Sequence, residues 1–92
     1  MLELNSIRNE INEIDKEMAK LFEKRMNLAK NVALYKKKYS LPIEDLEREQ
    51  QLLNKNLEYI KNEKIKMYYT RYLENLMNIS KEYQKEIITK ED

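Results

Sequence analysis

The chain has 92 residues, of which 38% are charged, with one Pro and no Gly; this composition disfavours tight turns and predicts a single small all-α domain over residues 1–92. The 18 basic and 17 acidic side chains nearly cancel, so no field of one sign indicates nucleic acid or a membrane surface as a partner. The absence of Cys and His excludes disulfides, thiol nucleophiles, imidazole acid–base pairs and zinc sites built from these residues.

Apolar residues at alternating spacings of three and four predict a long amphipathic helix over about residues 4–38. The members of this seam are Leu4, Ile7, Ile11, Ile14, Met18, Leu21, Leu28, Val32 and Tyr35. Pro42 ends the helix, because a proline disfavours helical backbone at the residue before it. A helix of about 35 residues extends about 52 Å, which is longer than a compact domain of this size is wide. We therefore expect an intertwined homodimer in which two long helices pair.

Two shorter helices are predicted after Pro42. The second runs over about residues 44–61, with Asp45 as its N-cap or first-turn acid. The third runs over about residues 65–88, and the polar segment 61–64 is the predicted break between them. The predicted chain fold is therefore three helices, one long and two shorter.

The first helix carries cations on or near its apolar seam. Arg25 takes the seam position between Leu21 and Leu28, and Lys36 follows 11 positions later on nearly the same face. A polar residue in such a seam can also serve only to set the register of a coiled coil. Arg8 precedes Lys36 by 28 residues, about 42 Å on a continuous helix. One small ligand therefore cannot touch both within a protomer, but an antiparallel dimer brings Arg8 beside the partner's helix.

The second and third helices add further polar residues at helical spacing. Asp45, Arg48 and Glu49 share one face of the second helix, where the alternative is a solvated salt-bridge face. Ser80 takes a seam position of the third helix, and Gln84 follows one turn later. Taken with the cations of the first helix, these side chains predict a pocket in the helix bundle for a small, multiply anionic molecule.

The segment from residue 7 to residue 53, IRNEINEIDKEMAKLFEKRMNLAKNVALYKKKYSLPIEDLEREQQLL, resembles the all-helical AroQ class of chorismate mutases, the type II chorismate mutase domain. The matching patterns are R..I..ID at the start, R..LA..VA.YK in the middle and P..D..RE before the second helix. The family's Ser-x-x-x-Gln pair appears here as Ser80 and Gln84. The resemblance covers about residues 4–84.

This resemblance implies an intertwined homodimer with shared active sites. The implied activity is the intramolecular [3,3] rearrangement of chorismate to prephenate, in phenylalanine and tyrosine biosynthesis, with no cofactor and no metal. It also implies that Arg25 and Arg8 of the partner subunit bind the two substrate carboxylates. Lys36 bridges a carboxylate and the ether oxygen, and Gln84 donates a second hydrogen bond to that oxygen. Such donors stabilise the negative charge that grows as the C–O bond breaks.

The remaining implied roles concern the ring of the substrate. Glu49 and the backbone at Asp45 hold the ring hydroxyl, Ser80 supports the ring carboxylate, and Arg48 adds positive potential. Because Gln84 is a neutral amide, activity is expected to persist through neutral pH.

The sequence contains no run typical of a signal peptide and no stretch of about 18 apolar residues. A soluble cytoplasmic protein is therefore expected.

Two alternative functions remain open at the level of sequence. An isochorismate–pyruvate lyase has a similar cationic cage, but those relatives carry an apolar residue where this chain has Glu49. A non-catalytic helical dimerisation module requires only the heptad seam. The residues that it leaves without a role are Arg8, Lys36, Glu49 and Gln84.

Overall fold

The computed structural model describes residues 3–90, and this part of the chain is all-α with no strand. Its elements are α1 (Leu4–Lys38), α2 (Leu46–Leu57), a short 3₁₀ turn (Glu63–Ile65) and α3 (Lys66–Lys90). The predicted fold class of one long and two shorter helices is therefore confirmed for the single chain. None of these helices combines the length and apolar character needed to cross a membrane within the described range.

Helix α1 ends in a Schellman motif, although the chain has no Gly. The Leu41 amide donates to the Lys36 carbonyl at 2.8 Å, and the Ser40 amide donates to the Lys37 carbonyl at 3.3 Å. Ser40 takes φ 55°, the left-handed conformation that this motif requires and that Gly usually supplies. Pro42 follows two residues later, so the chain leaves the helix axis and turns back toward α2.

Helix α2 is shorter than the predicted range of 44–61. It begins at Leu46 because Asp45 is its N-cap. After Leu57 the backbone amides donate hydrogen bonds to the carbonyl three residues earlier; the Ile60 amide, for example, donates to the Leu57 carbonyl at 3.2 Å. This is the 3₁₀ pattern, so the α-helix ends there. Asn62 then accepts a hydrogen bond from the Lys64 amide at 3.0 Å and caps the 3₁₀ turn that leads into α3.

Helix α3 packs against α1, and small residues allow the close approach. Ala29 and Ala33 are the buried residues of α1, with Ala33 fully inaccessible. The buried apolar residues of α3 are Leu73, Met77 and Ile87, and α1 and α3 are in contact. Two polar residues of α3, Ser80 and Gln84, are buried beside this small apolar core.

The apolar seam of α1 remains exposed in the single chain. Leu21 is 62% exposed and Leu4 59%. The other predicted seam members are also exposed, namely Ile7, Ile11, Ile14, Met18, Leu28, Val32 and Tyr35. The chain extends 57 Å along its longest axis and only 14 Å along its shortest. Monomeric proteins rarely leave such a continuous apolar stripe in water.

Candidate active site

A cavity of about 300 Å³ lies between the second half of α1, the start of α2 and the second half of α3. Seven of the eight side chains that the sequence singled out line this cavity. The seven are Arg25, Lys36, Asp45, Arg48, Glu49, Ser80 and Gln84. Its apolar lining consists of Leu28, Ala29, Val32, Ile43, Leu52 and Met77. The structure therefore brings together polar residues that are up to 59 positions apart in the chain.

Arg25 is held at the cavity by a buried hydroxyl. Its Nη1 donates to Ser80 Oγ at 2.8 Å, and Ser80 in turn lies 3.9 Å from the sulfur of Met26. A guanidinium carries five N–H donors, so this bond fixes its position and leaves further donors for an anion. The planar donor array is suited to a carboxylate.

Gln84 is oriented by the backbone of α1. Its Nε2 donates to the Ala29 carbonyl at 3.0 Å, and its side chain is buried. The amide nitrogen has two hydrogens, so it retains a second donor at the cavity wall. Ala29 has no bulk beyond its methyl group, and α3 can therefore bring Gln84 this close to α1.

Lys36 is held by the α1–α2 connection. Its Nζ donates to the Ile43 carbonyl at 2.9 Å, because the Schellman turn brings the chain back over the last turn of α1. The ammonium has two more donors, and Lys36 lines the same cavity as Arg25 and Gln84. Three donors from two helices therefore converge on one small volume.

Asp45 caps α2 at the edge of the cavity. Its Oδ1 accepts a hydrogen bond from the Arg48 amide at 3.0 Å, which satisfies one of the amides left free at a helix N-terminus. The carboxylate also lies at the N-terminus of α2, where its negative charge interacts favourably with the helix dipole. The structure thus assigns Asp45 a local role in addition to its place in the cavity.

Asp45→Ala is expected to lower the free energy of unfolding by about 1 kcal/mol, the usual cost of losing an N-cap. Urea unfolding followed by circular dichroism at one fixed protein concentration measures this change. Asp45→Asn is the matched control, since an Asn side chain also caps and should retain most of the stability. Equal losses in the two variants would contradict the capping role.

Glu49 forms an ion pair with Lys81, a cavity residue that the sequence reasoning missed. Lys81 Nζ lies 3.2 Å from Oε1 and 3.4 Å from Oε2 of Glu49, and 3.4 Å from Oε1 of Glu44. The hydrogen bond to Glu49 raises the pKa of the Lys81 ammonium, against the opposing effect of burial. Lys81 precedes Gln84 by three positions, so both lie on one helix face. This spacing is the signal in the sequence that could have identified Lys81 as a cavity residue.

Arg8 is the one predicted site residue that lies outside the cavity. It is exposed on the first two turns of α1, about 25 Å along the axis from Arg25. Within one chain it cannot reach the cavity. Its expected contribution to the partner's site stays a prediction.

A second cavity, of about 460 Å³, adjoins the first. Arg25 and Arg48 line both, and Tyr69 and Tyr72, stacked with ring centroids 6.0 Å apart, line the second. Arg25 also takes a seam position of α1, between the exposed Leu21 and Leu28. The two cavities therefore lie next to the exposed apolar seam.

Comparison with known proteins places the sequence of this chain in a family. The family model for type II chorismate mutase matches residues 7–85. The bifunctional chorismate mutase/prephenate dehydratase of Buchnera aphidicola subsp. Schizaphis graminum is 38% identical over 89 residues, which cover 96% of this chain and 23% of that protein. The protein of the same name from Buchnera aphidicola subsp. Baizongia pistaciae is 43% identical over 76 residues, covering 83% and 20%.

A third relative of that name, from Aquifex aeolicus, is 42% identical over 57 residues, covering 62% of this chain and 16% of the relative. The chain thus spans less than a quarter of the length of these curated relatives. No solved structure matches the chain significantly. The family match over residues 7–85 covers most of α1 and α3, all of α2 and every residue that lines the first cavity. The chain therefore belongs to the type II chorismate mutase family.

Proposed function

We propose that this chain catalyses the rearrangement of chorismate to prephenate. The observation that carries the proposal is the convergence of Arg25, Lys36 and Gln84 on one cavity whose other wall carries Glu49. The reaction breaks one C–O bond and forms one C–C bond within the same molecule, so no leaving group departs and no group is transferred to the protein. Arg, Lys and amide side chains are sufficient for such a reaction, and membership of the mutase family supports it.

The proposed contribution of the cavity begins with restraint of a flexible dianion. Arg25, fixed by Ser80, binds one carboxylate, and Ser80 supports the carboxylate on the ring. Lys36 bridges a carboxylate and the ether oxygen, while Arg48 adds positive potential. Holding the substrate in its reactive folded shape removes an entropic part of the barrier before the bonds change.

The second contribution is electrostatic. As the C–O bond breaks, negative charge develops on the ether oxygen, and Lys36 and Gln84 are the proposed donors to it. Both side chains are already held by backbone carbonyls at 2.9 and 3.0 Å, so little reorganisation is needed during the reaction. A prearranged donor in a partly desolvated site stabilises such charge more than a donor in water does. Glu49 and the backbone at Asp45 are the proposed partners of the ring hydroxyl.

We further propose that the active form is an intertwined antiparallel homodimer. Pairing of two α1 helices would cover the exposed seam, and it would place Arg8 of one chain beside the second half of α1 of the other. The cavity is then completed by Arg8 of the partner subunit near Arg25, where the second carboxylate binds. A soluble protein in the cytoplasm remains the expected setting.

The test is the loss of chorismate ultraviolet absorbance with purified protein, without added metal or cofactor. Nuclear magnetic resonance should identify prephenate as the product, and isochorismate is assayed in parallel with detection of pyruvate. Pyruvate from isochorismate and no prephenate from chorismate would favour the lyase alternative. A folded, dimeric protein that converts neither substrate would favour the non-catalytic dimerisation module.

A further inference from the structure

Lys81 is a cation of the cavity to which the family resemblance assigns no role. It stands on α3 between Ser80 and Gln84, and its ammonium reaches across to α2. Both carboxylate oxygens of Glu49 lie within 3.4 Å of Lys81 Nζ. Within residues 3–90, Lys81 is the only side chain that donates to this carboxylate.

The surroundings of this ion pair differ from those of an ordinary surface pair. The side chains of Lys81 and Glu49 are 20% and 22% exposed. Lys90 and Glu86, a pair at 3.0 Å on the same helix, are 72% and 55% exposed. Exposed pairs contribute little, because water screens them and both side chains lose conformational freedom. The more enclosed pair, which joins two helices, constrains its carboxylate more strongly.

Glu44 holds the Lys81 ammonium from a second side. This carboxylate belongs to the α1–α2 connection and lies 3.4 Å from Lys81 Nζ. The ammonium is therefore fixed between the connection and α2, and not by Glu49 alone. Because its pKa is raised, Lys81 remains charged at neutral pH.

A carboxylate beside a site for a dianion has an electrostatic cost. Glu49 repels the substrate's carboxylates while it accepts from the ring hydroxyl, and a nearby cation offsets this repulsion. A carboxylate also offers about four acceptor positions, so the contacts to Lys81 leave capacity for a substrate hydroxyl. Lys81 can thus orient Glu49 and balance its charge without replacing the substrate.

We propose that Lys81 is a positioning residue for the reaction, which holds the Glu49 carboxylate in the orientation that accepts the substrate's ring hydroxyl. This inference rests on the proposed mutase function and adds a residue to it. Lys81 acts through Glu49, so its contribution should depend on the presence of that carboxylate.

A double-mutant cycle tests this dependence. Lys81→Met, Glu49→Gln and the double variant are compared with the unsubstituted protein by kcat/KM for chorismate. Lys81→Met is expected to lower kcat/KM about tenfold in the native background. In the Glu49→Gln background the same change should cost less than about twofold, because the group on which Lys81 acts is no longer a carboxylate.

Two further variants separate positioning from a general effect on the fold. Lys81→Arg keeps the charge and should retain most of the activity. Lys90→Met is the matched control, since it removes an ion pair from the same helix away from the cavity, and it should leave kcat/KM unchanged. Circular dichroism and sedimentation show whether each variant is folded and has the native oligomeric state. Lys81→Gln replaces Lys81→Met in the cycle if the latter does not fold.

An equal loss from the Lys81 substitution in both backgrounds would overturn the proposal, because Lys81 would then act independently of Glu49. Full activity of Lys81→Met in the native background would overturn it as well. Failure of the proposed function has a different signature, since the unsubstituted protein would itself leave chorismate unchanged.

Discussion

Gln84→Ala is expected to lower kcat for chorismate rearrangement by about 10²- to 10³-fold, the usual effect of removing one donor to a developing oxyanion. The amide is buried and held by the Ala29 carbonyl, so the native protein places this donor before the substrate arrives. The loss should appear in kcat and kcat/KM together, because the proposed hydrogen bond from Gln84 would strengthen only as charge grows on the ether oxygen. Stopped or continuous ultraviolet assays measure both constants.

Gln84→Glu is the informative companion of this variant. A carboxyl group donates only when it is protonated, so the activity of Gln84→Glu should fall as the pH rises. The native amide does not titrate, and the native rate should persist between about pH 6 and 8. A native rate that collapses over this range, or a Gln84→Glu rate that does not depend on pH, would contradict the role of Gln84 as donor.

Stability must be measured beside these rates, because Gln84 also contributes to packing. Loss of the bond to Ala29 is expected to lower the free energy of unfolding by about 1–2 kcal/mol. Assays well below the unfolding midpoint of each variant keep this effect out of kcat. A variant that is folded and keeps the native oligomeric state at the assay temperature, but is slow, then reports on the chemistry.

Arg8→Ala and Arg25→Ala should each reduce kcat/KM by about 10²-fold or more, since each would remove a proposed charge-assisted bond to a substrate carboxylate. An equal mixture of the two variants should recover activity after subunit exchange. In a heterodimer with the proposed shared sites, one site lacks both arginines and the other has both. Complete exchange makes half of the dimers heterodimers, so about one quarter of the native activity is expected.

Exchange itself has to be demonstrated, for example by mass spectrometry of dimers formed from isotopically labelled and unlabelled chains. Mixing each variant with itself is the control, and it should recover nothing. If exchanged dimers remain as inactive as the separate variants, the two arginines do not meet in a shared site. Recovery would also explain why Arg8 lies about 25 Å along α1 from Arg25 yet is implied in the same reaction.

Local signals in the sequence were sufficient for much of the fold. The heptad pattern indicated α1 over residues 4–38, and the helix occupies Leu4–Lys38, because apolar periodicity and the Pro42 stop both act through near neighbours in the chain. The end of α2 was less predictable. Its last turn tightens after Leu57 with no Gly or Pro to signal the change, since the connection to α3 is determined by how the two helices dock.

Sequence and resemblance together also named seven residues of the cavity. Two kinds of signal identified them. Arg25 and Ser80 are polar at positions where the seam spacing predicts an apolar residue, and Asp45, Arg48 and Glu49 have the spacing of residues on one helix face. Lys81 escaped this reasoning. A lysine on a helix ordinarily extends into solvent, and its spacing from Gln84 does not say whether a carboxylate stands opposite.

The sequence by itself therefore determined the number and order of the helices, the extent of α1, the apolar seam and the chemical types of the site residues, because these depend on spacing along one chain. Only the tertiary structure decided which side chains meet. It placed Glu49 against Lys81, Arg25 against Ser80 and Gln84 against the Ala29 carbonyl. These contacts join residues 32 to 55 positions apart, and the docking of α3 on α1 and α2 brings them within hydrogen-bonding distance.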